Sequence, residues 1–556
     1  HGFYWFSIGG DGEGVEHAHG KLPFFRASSG WHDLFSGRGR KVLSEAVEAY
    51  LQQQRWFAGK ARTLQKVELI DWFDLDGSGP VASVRLLLVG ANYSEGEPDA
   101  YVVPVTMLDD EAANELHKTH PSSGIMRVEV ANQHQVFTVC EATWSDEMWQ
   151  GLFDAVSSRR RFRAQHGTLS GTRTEAFARL ASEPLGRLPH TVFGGEKINK
   201  SAAFGERFIL KLFRRVTPGV NPDFEIGRLL TEREPLPFVP QVAGAVEYRP
   251  DWAQPMTIGI LHEFVANVGD AWTYTLDELS RYFEHVQSLP PATSPNSAAA
   301  VASEPQPPNP ESSGLVQLAD AEVPTIAQET IGGYLRWAEL LGRRTGELHV
   351  ALARGDGGAA FTPEPFTRLY QRGLYQSMRS QARSTLEFLR ATRRYLSEDA
   401  QARADQLLQR EPDLLANFTR LLHGHIDAQR IRCHGDLHLG QILFTGKDFV
   451  IIDFEGEPER PVSERRIKAS PLRDVAGMLR SFHYVAHAAL RGQSAALIVQ
   501  HADSTMKDWA AFWSTWVSDT FLRSYLATAA PGHFLPADRA QLETLLSAYL
   551  LEKALY

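Results

Sequence analysis

Cysteine is almost missing: Cys140 and Cys433 are the two in a chain of 556 residues. Two thiols cannot build a disulfide framework or a thiolate zinc site, and they fit a reducing, cytoplasmic setting. Long apolar runs are absent as well. No stretch approaches the ~20 residues that a membrane-spanning helix needs, so no membrane association is expected. Positive charge is in deficit, with 57 Lys and Arg against 67 Asp and Glu, a net charge of −10. That balance argues against a surface that coats nucleic acid. No internal repeat is visible. The first residue is His1 rather than Met, with no charged segment and apolar core of a leader behind it, which reads as a mature product or a piece of something longer.

What is present is a globular composition, 43% hydrophobic and 22% charged. At roughly 100–200 residues per domain, this length favours several structural units. Residues 1–8, HGFYWFSI, read as a strand buried on both faces, followed by a glycine-rich breaker over 9–14. A lone strand needs a sheet to pair with, so residues 1–35 are set apart as a remnant of an upstream domain and a linker. Residues 36–150 read as a small α+β unit. Its helix is expected over 40–58, with Val42, Ala46, Ala49, Tyr50 and Gln53 on one face and Gly59 as its cap. Its strands are expected near 66–75, 81–89, 100–106 and 135–140. Residues 151–270 suggest a sheet-based lobe, with strand–turn–strand character over 192–212 and a strand over 258–265. From 271 to 556 helices dominate, at 331–353, 366–396, 400–426, 471–488, 505–527 and 538–555. One hairpin interrupts them, pairing Ile442-Leu-Phe444 with Phe449-Val-Ile-Ile-Asp453. Within this part, residues 288–314 hold seven prolines and six serines, a composition that builds no packed core.

The sharpest chemical signal is Cys433-His-Gly-Asp-Leu-His-Leu-Gly-Gln441, followed by Val450-Ile-Ile-Asp-Phe-Glu455. A loop aspartate, Asp436, can accept a hydroxyl proton. An amide five residues on, Gln441, and a carboxylate at the end of the next strand, Asp453, can share Mg²⁺ through oxygen ligands. Singly these residues would read as turn caps, and the two histidines His434 and His438 as satisfied loop residues; the joint spacing is what carries the signal. Phosphoryl transfer also needs a cation on the nucleotide phosphates. Lys211 lies in an apolar strand where an unpaired ammonium is costly, and Glu225, near the start of the following helix, is its natural partner. The glycine-bearing loop 194–201, which includes Asn199 and Ser201, can cover phosphates with backbone N–H groups, although an ordinary hairpin turn explains it nearly as well. Ser470-Pro471 reads as a helix start. Arg473 and Arg480 then fall on one face, suited either to substrate or to a structural ion pair with Asp474 or a loop carboxylate. Arg214 and Arg215 read as a solvated or inter-lobe face. Of the aromatics Tyr484, Trp509, Trp513, Trp516 and Tyr525, most should be core, with one or two available to stack on a sugar.

These motifs, H-G-D-L-H-L-G-Q, I-D-F-E-G-E-P and S-P-L-R-D-V-A-G-M-L-R-S-F, resemble those of the maltokinases. These are bacterial enzymes related to aminoglycoside phosphotransferases and to the protein-kinase-like fold. I-L-K-L-F-R-R around Lys211 and Q-R-W-F-A-G-K at 54–60 are similar to the family's lysine strand and N-terminal cap domain. The resemblance implies an α+β, bilobal protein-kinase-like fold with a sheet-rich N-lobe, a helical C-lobe and an N-terminal cap. It implies Asp436 as catalytic base, and Gln441 and Asp453 as Mg²⁺ ligands with Glu455 as a further contact. It also implies Lys211 with Glu225 on the ATP phosphates, and an adenine hinge near 261–265 that includes Glu263 and Val265. His434, Arg473, Arg480 and Tyr484 are the candidate substrate contacts. The implied reaction converts ATP and maltose to ADP and maltose 1-phosphate, a precursor for α-glucan synthesis. The run HGFYWF resembles the closing strand of trehalose synthases, which implies that enzyme as a partner fused ahead of the kinase, with residues 1–30 packing loosely on this chain. One departure stands out: Glu196-Lys-Ile-Asn-Lys-Ser201 carries two extra lysines and lacks a hydroxyl, which leaves the covering role of that loop open. Two alternatives remain beside the maltokinase reading. One is a kinase for another small hydroxylated substrate of the aminoglycoside type, and the other is a nucleotide-binding pseudokinase module.

Overall fold

The structure is a computed structural model and describes residues 22–28, 30–75, 84–181, 188–193, 199–233, 235–290, 316, 322–497 and 503–556. The aromatic run at 1–8, the breaker after it, loop residues 194–198 and nearly all of the Pro/Ser-rich stretch lie outside the described residues. Two compact units emerge: one holds residues up to 235 plus 240–266, the other residues 236–239 plus 267–556. Among the described residues no helix is long and apolar enough to cross a membrane.

The first unit contains two sheets. In the first, strands run in the order Phe24–Ala27, Gly124–Val130, Gln135–Glu141, Asp99–Asp109, Arg85–Tyr93 and Leu64–Asp74, and the short strand Arg215–Val216 also pairs with Asp99–Asp109. Its central strands are apolar on both faces. Leu87, Val89, Tyr101, Val103 and Val105 pack with the helix Gly37–Gln53. Leu86, Leu88 and Val102 alternate with them and face a second core around Trp149, Leu152 and Phe153 of the helix Asp146–Ser157. Burial on both sides explains why these strands read as near-continuous hydrophobic runs. The second sheet orders Arg161–Arg163, Gly167–Arg173, Val242–Pro250, Met256–Glu263, Phe208–Leu212, Lys200–Phe204 and His190–Val192.

Three expectations shift here. The first helix runs Gly37–Gln53, and Leu43, Ala46, Val47, Tyr50 and Leu51 form its buried face, whereas Ala49 is exposed. Gly59 does not cap it; the chain leaves the helix at Gln54, and Gly59 instead lies where a Cβ would meet Tyr93 Oη at 2.4 Å. The boundary expected at residue 35 also moves. Phe24–Ala27 pairs in parallel with Gly124–Val130, and Trp31, Leu34 and Phe35 are buried, with Phe35 stacked on Trp72 at 4.2 Å. Residues 24–35 therefore belong to the cap, because their apolar side chains complete its core. Of the two readings for Arg214 and Arg215, the structure excludes a solvated face for Arg214. Its guanidinium, 2% exposed, donates to Glu141 Oε1 at 2.9 Å and Thr143 Oγ1 at 3.1 Å and lies 4.2 Å from the Trp56 ring centre. Arg215 bonds Asp99 Oδ1 at 2.7 Å.

The second unit is helical: Ala271–Ser288, Thr325–Ile331, Tyr334–Leu352, Arg368–Thr392, Glu398–Gln409, Glu411–Thr419, Leu472–Leu497, Asp503–Ala529 and Arg539–Leu555 are its longer helices. The single helix expected over 400–426 is two, because Pro412 can occupy a first helical turn but not a helix interior. The hairpin Ile442–Phe444 with Phe449–Ile451 is present and gains a third strand, Gly269–Asp270. Trp509, Trp513, Trp516 and Tyr525 are buried, in line with the expectation that most of these aromatics are core.

Arg214→Met tests the tie between the cap strands and the second sheet. It leaves Glu141 buried without its cation, which typically costs about 3–5 kcal/mol. Thermal unfolding should show a correspondingly lower midpoint, and an unchanged midpoint would mean the pair contributes nothing.

Candidate active site

The loop 433–441 follows the bridge between Ile431 and Ala469 and runs into the hairpin. Its backbone is held from below by one carboxylate. Asp474, 1% exposed in the first turn of the helix Leu472–Leu497, accepts from the backbone N–H groups of His434 at 2.8 Å and Gly435 at 2.9 Å. The buried His349 ring donates through Nε2 to the same carboxylate at 3.0 Å, and its Nδ1 faces Tyr525 Oη at 3.0 Å. Burial pushes the Asp474 carboxyl upward, but His349, His434 and the Gly435 N–H outweigh it and hold it below the usual carboxylate range. The helix approaches closely at Gly477, where a Cβ would lie 2.4 Å from the Leu437 carbonyl oxygen. Ser481 Oγ accepts from the Leu439 N–H at 3.2 Å. At the helix start, Ser470 Oγ accepts from the Leu472 N–H at 3.3 Å, in keeping with the Ser-Pro signal.

The two loop histidines shape the backbone. His434 is buried; its Nδ1 accepts from the Asp436 N–H at 3.3 Å and its Nε2 donates to the Ile452 carbonyl at 2.9 Å. This pattern puts the ring hydrogen on Nε2 and links the loop to the far strand of the hairpin. His438 Nδ1 accepts from the Gly440 N–H at 3.1 Å, while its Nε2 lies 3.9 Å from Asp436 Oδ2. Burial holds the His438 ring below the ordinary histidine value although Asp436 acts in the opposite direction.

The register of the hairpin sets Gln441 and Asp453 at its open end. Ile442 pairs with Ile451, and the Ile452 N–H donates to the Gln441 carbonyl at 3.0 Å, so Gln441 and Asp453 flank one edge. Asp453 has φ of 70°, a left-handed conformation that an aspartate adopts at a cost of about 1–2 kcal/mol. Such outliers concentrate at functional positions. Glu455 is buried just beyond. Next comes Glu457, also buried, on which Arg473 at 2.7 Å, Arg460 at 2.5 Å and Lys553 at 2.5 Å converge. Burial alone would raise the Glu457 carboxyl, but those three cations hold it at about 2. Arg473 thus forms the ion pair with a loop carboxylate that stood as its alternative to a substrate role. Arg480 NH1 faces His483 Nδ1 at 2.6 Å, and burial together with Arg480 and His487 keeps that imidazole near 4. Tyr484 is 56% exposed and lies 5.5 Å from the Trp272 ring.

In the first unit, Lys211 sits on Phe208–Leu212, directly opposite Ser201 on one neighbour and Ile260 on the other. Lys211 and Ser201 therefore share a sheet face. Lys211 Nζ lies 3.5 Å from Asp223 Oδ2, and Asp223 also faces His262 Nε2 at 3.8 Å. Asp223 and Glu225 both belong to the first turn of Pro222–Glu232, which Asn221 caps by accepting from the N–H groups of Asp223 and Phe224. Asp223 as a lysine partner escaped the sequence reading, as did His349 and the bracing role of Asp474, which was read only as an ion-pair candidate for Arg473. The Asn-Pro-Asp helix entry was the signal for Asp223. Glu263 ends its strand, and its carboxylate accepts from the Gln241 N–H at 3.2 Å. Val265 follows as a half-buried residue, and Asn199 precedes the strand Lys200–Phe204.

A model of the phosphotransferase enzyme family matches residues 320–456, and a model of the maltokinase N-terminal cap domain matches residues 50–143. The chain is thus an α+β protein with one region that matches a phosphotransferase family and another that matches a maltokinase-type cap. It is 48% identical over 59 residues to a glucosamine kinase of Mycolicibacterium smegmatis and 38% identical over 55 residues to one of Streptacidiphilus jiangxiensis. Those stretches make up 10% of this chain and span only 14% and 13% of the two relatives' lengths. In fold it is similar to a glucosamine kinase solved with glucosamine, ADP and inorganic phosphate, with a TM-score of 0.55 at 17% identity over 92% of this chain and 94% of that one. A second glucosamine kinase crystal form gives 0.57 at 16% identity over 94% and 95%.

Asp474→Asn should unbrace the loop, since an amide has one acceptor oxygen for three donors. Removing a buried acceptor of this kind costs about 1–3 kcal/mol. Hydrogen exchange at His434 and Gly435 should quicken in the variant, and unaltered protection would dismiss Asp474 as the brace.

Proposed function

We propose that the protein transfers the γ-phosphoryl group of ATP to the anomeric hydroxyl of maltose, giving ADP and maltose 1-phosphate. The single observation that carries this reading is the braced loop that sets Asp436 beside a hairpin whose open edge is flanked by Gln441 and Asp453. Asp436 accepts the hydroxyl proton as the sugar oxygen forms its bond to phosphorus and the bond to the ADP oxygen breaks. The Gln441 amide and the Asp453 carboxylate, with Glu455 behind them, form an all-oxygen donor set that fits Mg²⁺. The ion, when held there, neutralises phosphate charge. Lys211, beside Asp223 and with Glu225 as its second carboxylate, engages the nucleotide phosphates, with Asn199 and Ser201 beside them. The Glu263–Val265 segment meets the adenine. Tyr484, exposed beside Trp272, offers the kind of aromatic face on which a sugar ring packs, and Arg480 lies on the same helix.

The cap match supports maltose, and the resemblance of residues 1–8 supports a trehalose synthase as the maltose-supplying neighbour on the same polypeptide. The glucosamine kinase relatives favour a second reading, an amino-sugar acceptor. A coupled ADP-release assay over maltose, glucose, glucosamine and an aminoglycoside separates the two. Maltose should be turned over fastest; equal or faster turnover of glucosamine would replace the maltose reading, and ATP binding without turnover of any sugar would indicate a pseudokinase. Asp436→Asn should reduce kcat by about 10²–10⁴-fold with ATP affinity retained, and near-normal turnover would refute the assigned base.

A further inference from the structure

We propose that Lys553, on the helix Arg539–Leu555, is a positioning residue for Asp436, so that this helix is part of the phosphotransfer site. The inference rests on the reading of Asp436 as proton acceptor. Lys553 Nζ lies 3.9 Å from Asp436 Oδ1 and 2.5 Å from Glu457 Oε1, and its side chain is 10% exposed. The opposite carboxylate oxygen of Asp436 faces His438 Nε2 at 3.9 Å. The carboxylate is thus framed between an ammonium and an imidazole.

Charge explains why the lysine is there. Arg460, Arg473 and Lys553 all converge on Glu457, and Arg460 also reaches Glu552 at 3.6 Å. Lys553 thus sits in a mostly buried charge cluster, where a cation is stable only with carboxylates close by. Asp436 is one of those carboxylates, and Lys553 reaches it. At 3.9 Å the contact acts through charge and does not occupy the carboxylate lone pair that must take a hydroxyl proton. Glu457 fixes the ammonium from the other side, and the Tyr556 ring lies 5.4 Å away. A long, flexible side chain is thereby held in one place, as a group that orients a base must be.

The test uses the full chain with Lys553→Met, Lys553→Arg, Asp436→Asn and the Lys553→Met/Asp436→Asn double variant. Lys553→Met should lower kcat at least about tenfold while KM for ATP and sugar stays within about twofold. Lys553→Arg, which keeps the charge on Glu457, should recover most of kcat. In thermal unfolding, Lys553→Met should cost about 1–2 °C less in the Asp436→Asn background than in the wild type, since the contact is already gone. A folded Lys553→Met variant with unchanged kcat, a folded Lys553→Arg variant without activity, or strictly additive midpoints would overturn the proposal. A wild-type chain that turns over no sugar would sink the kinase reading instead, and the unfolding cycle would still decide the Lys553–Asp436 contact.

Discussion

The second unit depends on a buried carboxylate that has to be bonded. Asp474 is sealed from water, so its charge survives only with donors on both oxygens. It finds them in two consecutive backbone N–H groups of the loop and in His349. Three elements distant in sequence are fixed relative to one another by this one group: the helix that carries Asp474, the loop 433–441 and the helix Tyr334–Leu352. Tyr525 brings in a fourth through His349. The loop's shape is therefore imposed by the helices beneath it. The backbone polar groups that a tight turn cannot satisfy internally are satisfied there, and the carboxylate of Asp436 is directed by a backbone with no slack.

The first unit solves a different problem with similar means. Its two sheets share a core, and apolar packing alone would let them slide. Buried acids prevent that. Asp71, from the first sheet, accepts from the N–H groups of Gln165 and His166 and from the Tyr248 hydroxyl, each at 3.1 Å. Asp99 bonds Arg215 and Arg62, and Glu141 bonds Arg214. These bonds are directional where hydrophobic contact is not, so they fix register between layers. The Q-R-W-F segment contributes through Trp56, on which the Arg214 guanidinium lies, and through Gln54, which donates to the Ser122 carbonyl at 3.3 Å. Its strong sequence signature is accordingly structural in this chain.

What was legible in the sequence follows from range. The hairpin that aligns Gln441 with Asp453 is local, and its turn residues and alternating strands specify the register without outside help. Lys211 was legible because a lysine within F-I-L-K-L is conspicuous. The helix at 37–53 was found with Ala46 and Tyr50 on its buried face, but Leu43 and Val47 or Val42 and Ala49 are equally periodic choices beside them, and only the sheet decides. Asp474 and His349 stand 125 residues apart, and Lys553 and Glu457 96 apart. No local pattern announces such pairs, because each residue alone is an ordinary helical one. Residues 24–35 were assigned to a neighbour for a related reason: their strand pairs with Gly124–Val130, which sequence patterning did not reveal.

Substrate choice is a separate matter from the chemistry of the loop. A carboxylate that accepts a hydroxyl proton, an amide and a second carboxylate serve any alcohol acceptor equally, so nothing in 433–455 distinguishes one sugar from another. Discrimination must come from groups that meet the rest of the acceptor. Most large aromatics of the helical unit are excluded, being buried against one another. Tyr484 is different: it sits two turns beyond the loop-facing Gly477 on the same helix, exposed and backed by Trp272. A neutral sugar packs on such a face through its C–H surface, whereas an amino sugar also needs an anion for its ammonium. The nearest ionisable partners on that stretch of helix, Arg480, His483 and His487, supply no negative charge.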